Sequence, residues 1–357
     1  MIKRLAVIVL SLIILVIPIN AYDDVSEYIT EEMEDALPED ILVEDGISYN
    51  ALWNELIRCV TRILPVILHN MTSILSVVII ASIFNTLGFS VVSAGIQSCL
   101  AYLSCGCIAM AVYSVLSSVW EEMVILLSRI NTFMTTLTPV TTLLYSMGGN
   151  ITTAAVNNTA MSIILTAFET LCYHGIRPML QICFGFSIVS VFSGSIDLKP
   201  VAAFVRKTYT TVLVFAMTSM ICILSLQNML TRPKDSLSIR TIKFAAANSI
   251  PIVGGALGEA MATVGVGISA IRGSFGVLAI LALAVMMLPS VISMWLNKIS
   301  FSLMSAVCSV FGLTREESLI SGAAELMNFA LAITISSAMM FIISISVFAT
   351  AQGVVGG

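Results

Sequence analysis

The chain has 357 residues, of which 58% are hydrophobic and only 10% are charged, and its mean hydropathy is +1.02. Soluble domains carry about 25% charged residues, so this composition excludes a water-soluble domain and indicates an integral membrane protein. The formal net charge of -5 is unevenly distributed, because eleven of the 21 acidic residues lie between residues 23 and 45.

The first 21 residues are typical of a signal peptide. Lys3 and Arg4 precede an apolar run from Leu5 to Ile17, and the small residue Ala21 closes the segment. The run is short for a membrane span and suits cleavage by signal peptidase, with an uncleaved anchor as the alternative. Either interpretation places the following residues on the extracytoplasmic side.

The next segment, residues 22–60, is first acidic and then helical in its pattern. Its eleven acidic residues have no basic residue among them, which is typical of a solvated, flexible tether. A docking strip for a basic partner is the alternative. After this acidic stretch, Trp53, Arg58 and Arg62 predict a helix at the membrane interface.

Residues 61–357 predict a polytopic membrane domain. Its apolar windows have the length that crosses about 30 Å of hydrocarbon as a helix. They are residues 63–84, 96–119, 151–172, 176–196, 207–230, 274–296 and 323–348. Five crossings from the outside bring the densest basic cluster, residues 232–243, to the cytoplasmic side, as the positive-inside tendency requires. Arg206 and Lys207 fall on the outside in this count.

Two further apolar stretches fit the count only if they do not cross. Residues 129–150 are rich in threonine, are broken at Pro139 and end in Gly148 and Gly149, whereas residues 250–272 combine few large apolar side chains with two charges. The insertion free energy of the second stretch sums to about zero. The predicted fold is therefore all-α, with about seven transmembrane helices and two re-entrant or interfacial helices after the signal peptide.

Known catalytic and cofactor motifs are missing from the sequence. Gly265, Gly267 and Ala270 have the spacing G-x-G-x-x-A, but an apolar helix follows them and no acid lies about 20 residues on, so a dinucleotide site is excluded. There is no P-loop, no metal-ligand spacing, and the two histidines, His69 and His174, are far apart. The cysteines lie mostly in or beside apolar windows, as buried small hydrophobes do. We predict no enzyme and no cofactor.

Small and acidic residues near residue 255 say more about function than the missing catalytic motifs do. Gly254 and Gly258 are four residues apart, a spacing that lets helix backbones approach closely in a membrane. Helix packing is the main interpretation, and a gate or hinge is the functional one. Glu259 is the most enclosed acid, of the kind that a proton- or ion-coupled transporter uses. Glu169 and Glu325 lie near span ends and are interpreted as interfacial.

Two stretches carry distinctive motifs. One is TPVTTLLYSMGG at residues 138–149, and the other is SLSIRTIKFAAANSIPIVGGALGEAMATVGVG at residues 236–267, where R-T-x-K-[FY] and N-x-I-P-x-V-G occur together. With these motifs, and with its order of signal peptide, acidic segment and polytopic domain, the chain resembles the stage III sporulation protein AE family of endospore-forming bacteria.

The resemblance implies a non-enzymatic subunit of the channel complex that joins the mother cell to the forespore. It implies a location in the mother-cell membrane around the engulfed forespore, and partners among the other stage III A proteins and the stage II protein Q assembly. A separate secretion-type ATPase would supply the energy. The complex would support late forespore gene expression, and no nucleic-acid partner is implied.

The two motif stretches are predicted to line or close the transport path. The candidate gating or packing residues are Pro139, Gly148, Gly149, Pro251, Gly254, Gly255, Gly258 and Glu259. A stand-alone secondary transporter that uses Glu259, and a non-conducting membrane scaffold, are the alternatives. A convincing inverted repeat, which would favour a transporter, is not visible in the sequence.

Overall fold

The computed structural model describes residues 42–43, 46–47, 49–91, 94–147, 151–193, 197–219, 222 and 254–350. Two short strands, β1 (Leu42–Val43) and β2 (Gly46–Ile47), pair antiparallel in the acidic segment. The helices are α1 (Tyr49–Val91), α2 (Ala94–Met147), α3 (Ile151–Phe168), α4 (Ile176–Ser193), α5 (residues 199–219), α6 (Gly254–Val310) and α7 (Thr314–Thr350). The predicted α-helical class is confirmed.

Five stretches of the described helices are long and apolar enough to cross a membrane. They are Trp53–Phe84, Cys99–Leu143, Asn158–Ser193, Phe275–Val310 and Thr314–Ser346. Several helices are longer than one bilayer requires: α2 has 54 residues and α6 has 57, which is about 80 Å each at 1.5 Å per residue. The described residues thus hold five candidate spans of 32 to 45 residues, and the predicted window 207–230 extends beyond the described residues.

Two of the predicted windows are joined by a π-helix, Glu169–His174, which leads from α3 through Gly175, in a right-handed helical backbone, into α4. The predicted windows 151–172 and 176–196 therefore lie in one candidate span. The change of chain direction that we predicted between them is wrong. A π-helix keeps the backbone hydrogen-bonded while it accommodates an extra residue, and hydropathy does not reveal it.

The two stretches predicted as re-entrant or interfacial helices also continue into longer helices. Pro139 lies inside α2, which runs on to Met147, so the predicted break at this proline is wrong. A proline inside a helix costs about 3 kcal/mol, but the neighbouring Leu137 and Thr138 are buried and hold the helix in place. Residues 254–272 likewise form the first part of α6 rather than a helix of their own.

Helices α6 and α7 form an antiparallel hairpin around Gly312. The amide of Gly312 donates to the carbonyl of Ser309 (3.1 Å), and the amide of Leu313 donates to that of Cys308 (3.0 Å). This pair of hydrogen bonds is the Schellman motif, which satisfies carbonyls at a helix end. Its C′ residue needs a left-handed backbone, and Gly312 has φ +70°, which glycine adopts without strain.

The other helices align along this hairpin. Ser104 of α2 contacts Glu316 near the turn, and Glu122 contacts Ser293 halfway along the bundle, so α2 runs parallel to α7 and antiparallel to α6. Continuous α3–α4 runs antiparallel to α2, because Phe184 contacts Trp120 while Phe192 contacts Tyr102. One buried core extends along the whole bundle. Its largest fully buried side chains are Trp120, Phe133, Phe184, Phe275, Phe301 and Phe341.

The junction of the π-helix with α4 provides a test of this fold. A Cβ added at Gly175 would lie 2.6 Å from the backbone oxygen of Leu171, and that oxygen accepts a hydrogen bond from Tyr209. We expect Gly175→Ala to lower the free energy of unfolding by about 1–3 kcal/mol. The matched control is Gly185→Ala in α4, where an added Cβ meets nothing within 4 Å. It should be neutral or stabilising by up to about 1 kcal/mol.

Thermal unfolding of both variants in detergent measures the difference. Equal melting temperatures for Gly175→Ala and Gly185→Ala would contradict the close contact at the π-helix.

Candidate functional site

Charged and amide side chains from four helices meet about halfway along the bundle. Three contacts between side chains join α2 to α6, α6 to α7, and α7 to α5. We call this set the polar belt. It consists of Glu122, Arg206, Ser293, Asn297, Lys298, Glu325 and Asn328.

The contact between α2 and α6 combines an exposed carboxylate with buried polar groups. The Ser293 hydroxyl donates to Oε2 of Glu122 at 3.1 Å. One turn further on, the buried Asn297 amide donates to the backbone oxygen of Ser293 at 2.9 Å. Because a buried polar group without a hydrogen bond is costly, both polar side chains of α6 are held in fixed orientations.

The contact between α6 and α7 is a charge-assisted hydrogen bond. Nζ of Lys298 donates to Oδ1 of Asn328 at 2.6 Å. Both ion pairs found in the described part of the chain involve other residues, so the neutral amide is the side chain that faces the lysine charge here. A hydrogen bond to a charged group is stronger than one between neutral groups, so this contact joins the two helices of the hairpin firmly.

The contact between α7 and α5 is an ion pair. Nη2 of Arg206 lies 2.8 Å from Oε2 of Glu325, and the Arg206 side chain is 21% exposed against 62% for Glu325. Three residues after Arg206, the Tyr209 hydroxyl donates to the carbonyl of Leu171 in the π-helix, and its ring packs edge-on against Phe329. Helix α5 is therefore attached to α7 and to the π-helix at the same level.

The polar belt divides the bundle into two apolar arms. Glu122 lies near the middle of the candidate span Cys99–Leu143, so this span extends about 35 Å to one side of it and about 32 Å to the other. Glu121 and Arg129 of α2 are also exposed near this level. On α2, each arm is therefore about as long as the hydrocarbon layer of one bilayer is thick.

We call the arm that contains the C-terminal ends of α2 and α7 the lower arm. In this arm, α7 buries a row of hydroxyl groups against sulfur atoms. Thr334 lies 3.8 Å from Sδ of Met294, Ser337 lies 3.7 Å from Sγ of Cys172, and Ser344 lies 3.4 Å from Sδ of Met161. Small hydroxyl residues let membrane helices approach closely. This arm of α7 therefore contacts α3, the π-helix and α6 through these hydroxyl groups.

The predicted gating residues lie toward the far end of the lower arm or beyond it. Pro139 is exposed on α2, where the neighbouring Thr138 and Phe275 of α6 line a cavity of about 20 Å³. Gly148, Gly149 and Pro251 lie outside the described residues.

The other predicted residues are at the start of α6. Gly254, Gly255, Gly258 and Glu259 lie in its first turns, where only the backbone is described. Phe275, which packs against the Pro139 region, follows Glu259 by about 24 Å along the helix. The gating role of these residues stays a prediction.

Sequence reasoning missed the belt as a site. From the sequence, Glu325 is interpreted as an interfacial residue on its own, and Arg206 is only a charge that falls on the outside. Lys298 and Glu122 interrupt apolar runs in the same way, which was the available signal, because intramembrane charges mark partners or water. Among the described residues, no group of three or more His, Cys, Asp or Glu side chains could hold a metal ion.

Comparison with known proteins identifies one family. A family model described as Stage III sporulation protein AE matches residues 32–352, which confirms the resemblance found in the two motif stretches. No curated protein and no solved structure matches the chain.

The ion pair between α5 and α7 can be tested by exchanging its charges. Arg206→Glu and Glu325→Arg each put two like charges in place of the native ion pair, so each should cost on the order of 1 kcal/mol of stability. The double variant should recover most of that loss. Lys207→Glu is the matched control, because Lys207 is exposed and both ion pairs of the described residues lie elsewhere.

Melting temperatures of the four variants in detergent measure the coupling between the two positions. Strictly additive effects of Arg206→Glu and Glu325→Arg would show that this ion pair does not hold α5 in place.

Proposed function

The chain belongs to the stage III sporulation protein AE family, and from this membership we propose that it is a non-enzymatic membrane subunit of the mother cell-forespore channel complex. The observation that carries the proposal is the extent of the family match. It covers residues 32–352 and so includes every helix of the bundle. The proposed function therefore starts from a sporulation protein that consists of long apolar helices.

We place the protein in the mother-cell membrane that surrounds the forespore. Residues 1–21 would direct it there as a signal peptide, and the acidic segment that follows would face the space between the two membranes. Its partners would be the other stage III A proteins and the stage II protein Q assembly. Because the sequence has no P-loop, energy would come from the secretion-type ATPase of the complex.

The polar belt supports a specific position in the bilayer. A charge at the centre of a membrane helix costs about 2.5–3.5 kcal/mol on insertion scales, and the belt exposes several charges at one level. Along α2, each arm beside it matches one hydrocarbon layer in length. We therefore place one arm in the bilayer and the belt at its aqueous boundary, so that the other arm projects toward partner proteins.

Within the complex, the protein would form or gate the transport path needed for late forespore gene expression. The gating segments would be the two stretches that contain Pro139 and Gly254 to Glu259. A non-conducting scaffold would use the same projecting arm to bind its partners. A stand-alone transporter would instead depend on the carboxylate of Glu259, because such a carboxylate binds the coupling ion.

The first test is genetic and biochemical. Deletion of the gene should leave engulfment intact and abolish expression from a late forespore promoter, and a tagged copy should co-purify with other stage III A proteins from sporulating cells. Constitutive production of the protein in growing cells, together with normal late forespore expression after deletion, would contradict the proposal.

A second test separates the channel subunit from the transporter. Glu259→Gln removes the charge and keeps the shape, so late forespore expression should stay within about twofold of the wild type if the chain acts in a channel or scaffold. Loss of function in this variant, with normal protein levels in the membrane, would favour the transporter. Gly258→Leu is the packing control and should impair all three functions, because a large side chain would disrupt the helix packing predicted for the small residues of this stretch.

A further inference from the structure

A cavity of about 170 Å³ lies at the turn between α6 and α7, at the end of the bundle. Among the described residues, its lining combines an apolar wall from α1 and α2 with polar groups from the start of α7. The wall consists of Ala81, Phe84, Leu100 and Ala101, and the other lining residues are Ser104, Gly312, Leu313, Thr314, Arg315 and Glu316.

The carboxylate of Glu316 is buried in this lining without a full counter-charge. The residue is only 4% exposed, and its Oε1 accepts a hydrogen bond from the Ser104 hydroxyl at 2.9 Å. Within the described part of the chain, no lysine or arginine nitrogen lies within 4.0 Å of it, because both ion pairs there involve other carboxylates. The α7 N-terminus contributes only about half a positive charge.

Buried charges in proteins are normally paired. Since the cavity adjoins Glu316, a cationic group inside the cavity would supply the missing partner.

The neighbouring residue, Arg315, is exposed, whereas Glu316 is buried. The guanidinium carbon of Arg315 lies 4.8 Å above the ring of Tyr102 rather than on the neighbouring carboxylate. Stacking on an aromatic ring holds the guanidinium in one place and leaves its N–H donors available. The cavity therefore presents a fixed cation at its mouth and a buried anion in its lining.

The apolar surface beside the cavity continues along α1 and α2. Ile80 and Ile83 of α1 are each 52% exposed, and Leu103 of α2 is 64% exposed. Each of them directly precedes a lining residue of the cavity on its own helix. A molecule bound with a charged part in the cavity can therefore place a long apolar part against this surface.

We propose that the cavity binds the headgroup of an aminophospholipid. The ammonium group donates charge-assisted hydrogen bonds to Glu316, the phosphate accepts from Arg315, and the acyl chains lie along the exposed isoleucines of α1. A primary ammonium fits this site better than a trimethylammonium, because only the former can donate hydrogen bonds to a buried carboxylate. This inference goes beyond the proposed channel function and does not depend on it.

The experiment uses the full chain, purified in detergent and stripped of lipid. Phosphatidylethanolamine, phosphatidylcholine and phosphatidylglycerol with the same acyl chains are added at increasing concentrations, and the melting temperature is recorded. Binding to the native state raises the melting temperature, so phosphatidylethanolamine should raise it by several degrees more than the other two lipids do. Equal shifts for phosphatidylethanolamine and phosphatidylcholine would overturn the proposal.

Three variants assign the effect to the cavity. Glu316→Gln should abolish the preference for phosphatidylethanolamine, whereas Glu317→Gln, in the same turn but outside the lining, should keep it. Ala101→Leu fills the cavity while leaving both charges in place, and it should also abolish the preference, so the test survives if Glu316→Gln fails to fold. Retention of the preference in Ala101→Leu would overturn the proposal.

Soluble phosphoethanolamine distinguishes a lipid from a free metabolite. It carries the same charged groups without acyl chains, so it should shift the melting temperature far less than the lipid at equal concentration. An equal shift would assign the cavity to the free molecule and overturn the lipid as its occupant.

Discussion

Charged groups on apolar helices must find partners or water, and this constraint fixes how the helices of the bundle align. The polar belt satisfies it by joining Glu122 to Ser293, Lys298 to Asn328, and Glu325 to Arg206. Sliding any of these helices by one turn, about 5.4 Å, would break its contact. Apolar packing alone tolerates such shifts better, because it is not directional. The belt therefore sets the register, and the apolar arms pack on both sides of it.

The helical class and the membrane character follow from composition and from the length of the apolar windows, because runs of about 20 apolar residues cross a bilayer as helices with every backbone polar group hydrogen-bonded. The continuity of the helices does not follow from the local sequence. Pro139 and the segment at Glu169–His174 each weaken a helix locally, yet both lie inside long helices. The deciding contributions come from distant residues, such as Tyr209, which bonds to the π-helix carbonyl of Leu171. An average of hydropathy over neighbouring residues does not include such contacts between distant residues.

The local sequence also fails to predict the polar belt, because the belt depends on contacts between distant residues. Motifs near residues 139 and 255 identified the family correctly, because a motif is a local pattern. The belt instead brings together positions more than 200 residues apart, from Glu122 to Asn328. In the sequence, each of them is a polar residue in or beside an apolar run. Only the hairpin at Gly312, which folds α7 back along α6, shows that Lys298 and Asn328 face each other. A charge in an apolar window is thus best interpreted together with the charges of the other windows.

The central claim is that the belt lies at an aqueous boundary, so that one bilayer covers only one arm of the bundle. The most direct measurement is the labelling of single cysteines in a variant without native cysteines, reconstituted alone in vesicles, with a membrane-impermeant maleimide on both sides. Exposed Glu121 marks the belt, and exposed Leu103 and Leu143 mark the two arms. We predict rapid labelling at position 121 and on one arm, with protection on the other arm. Protection at all three positions would contradict the account.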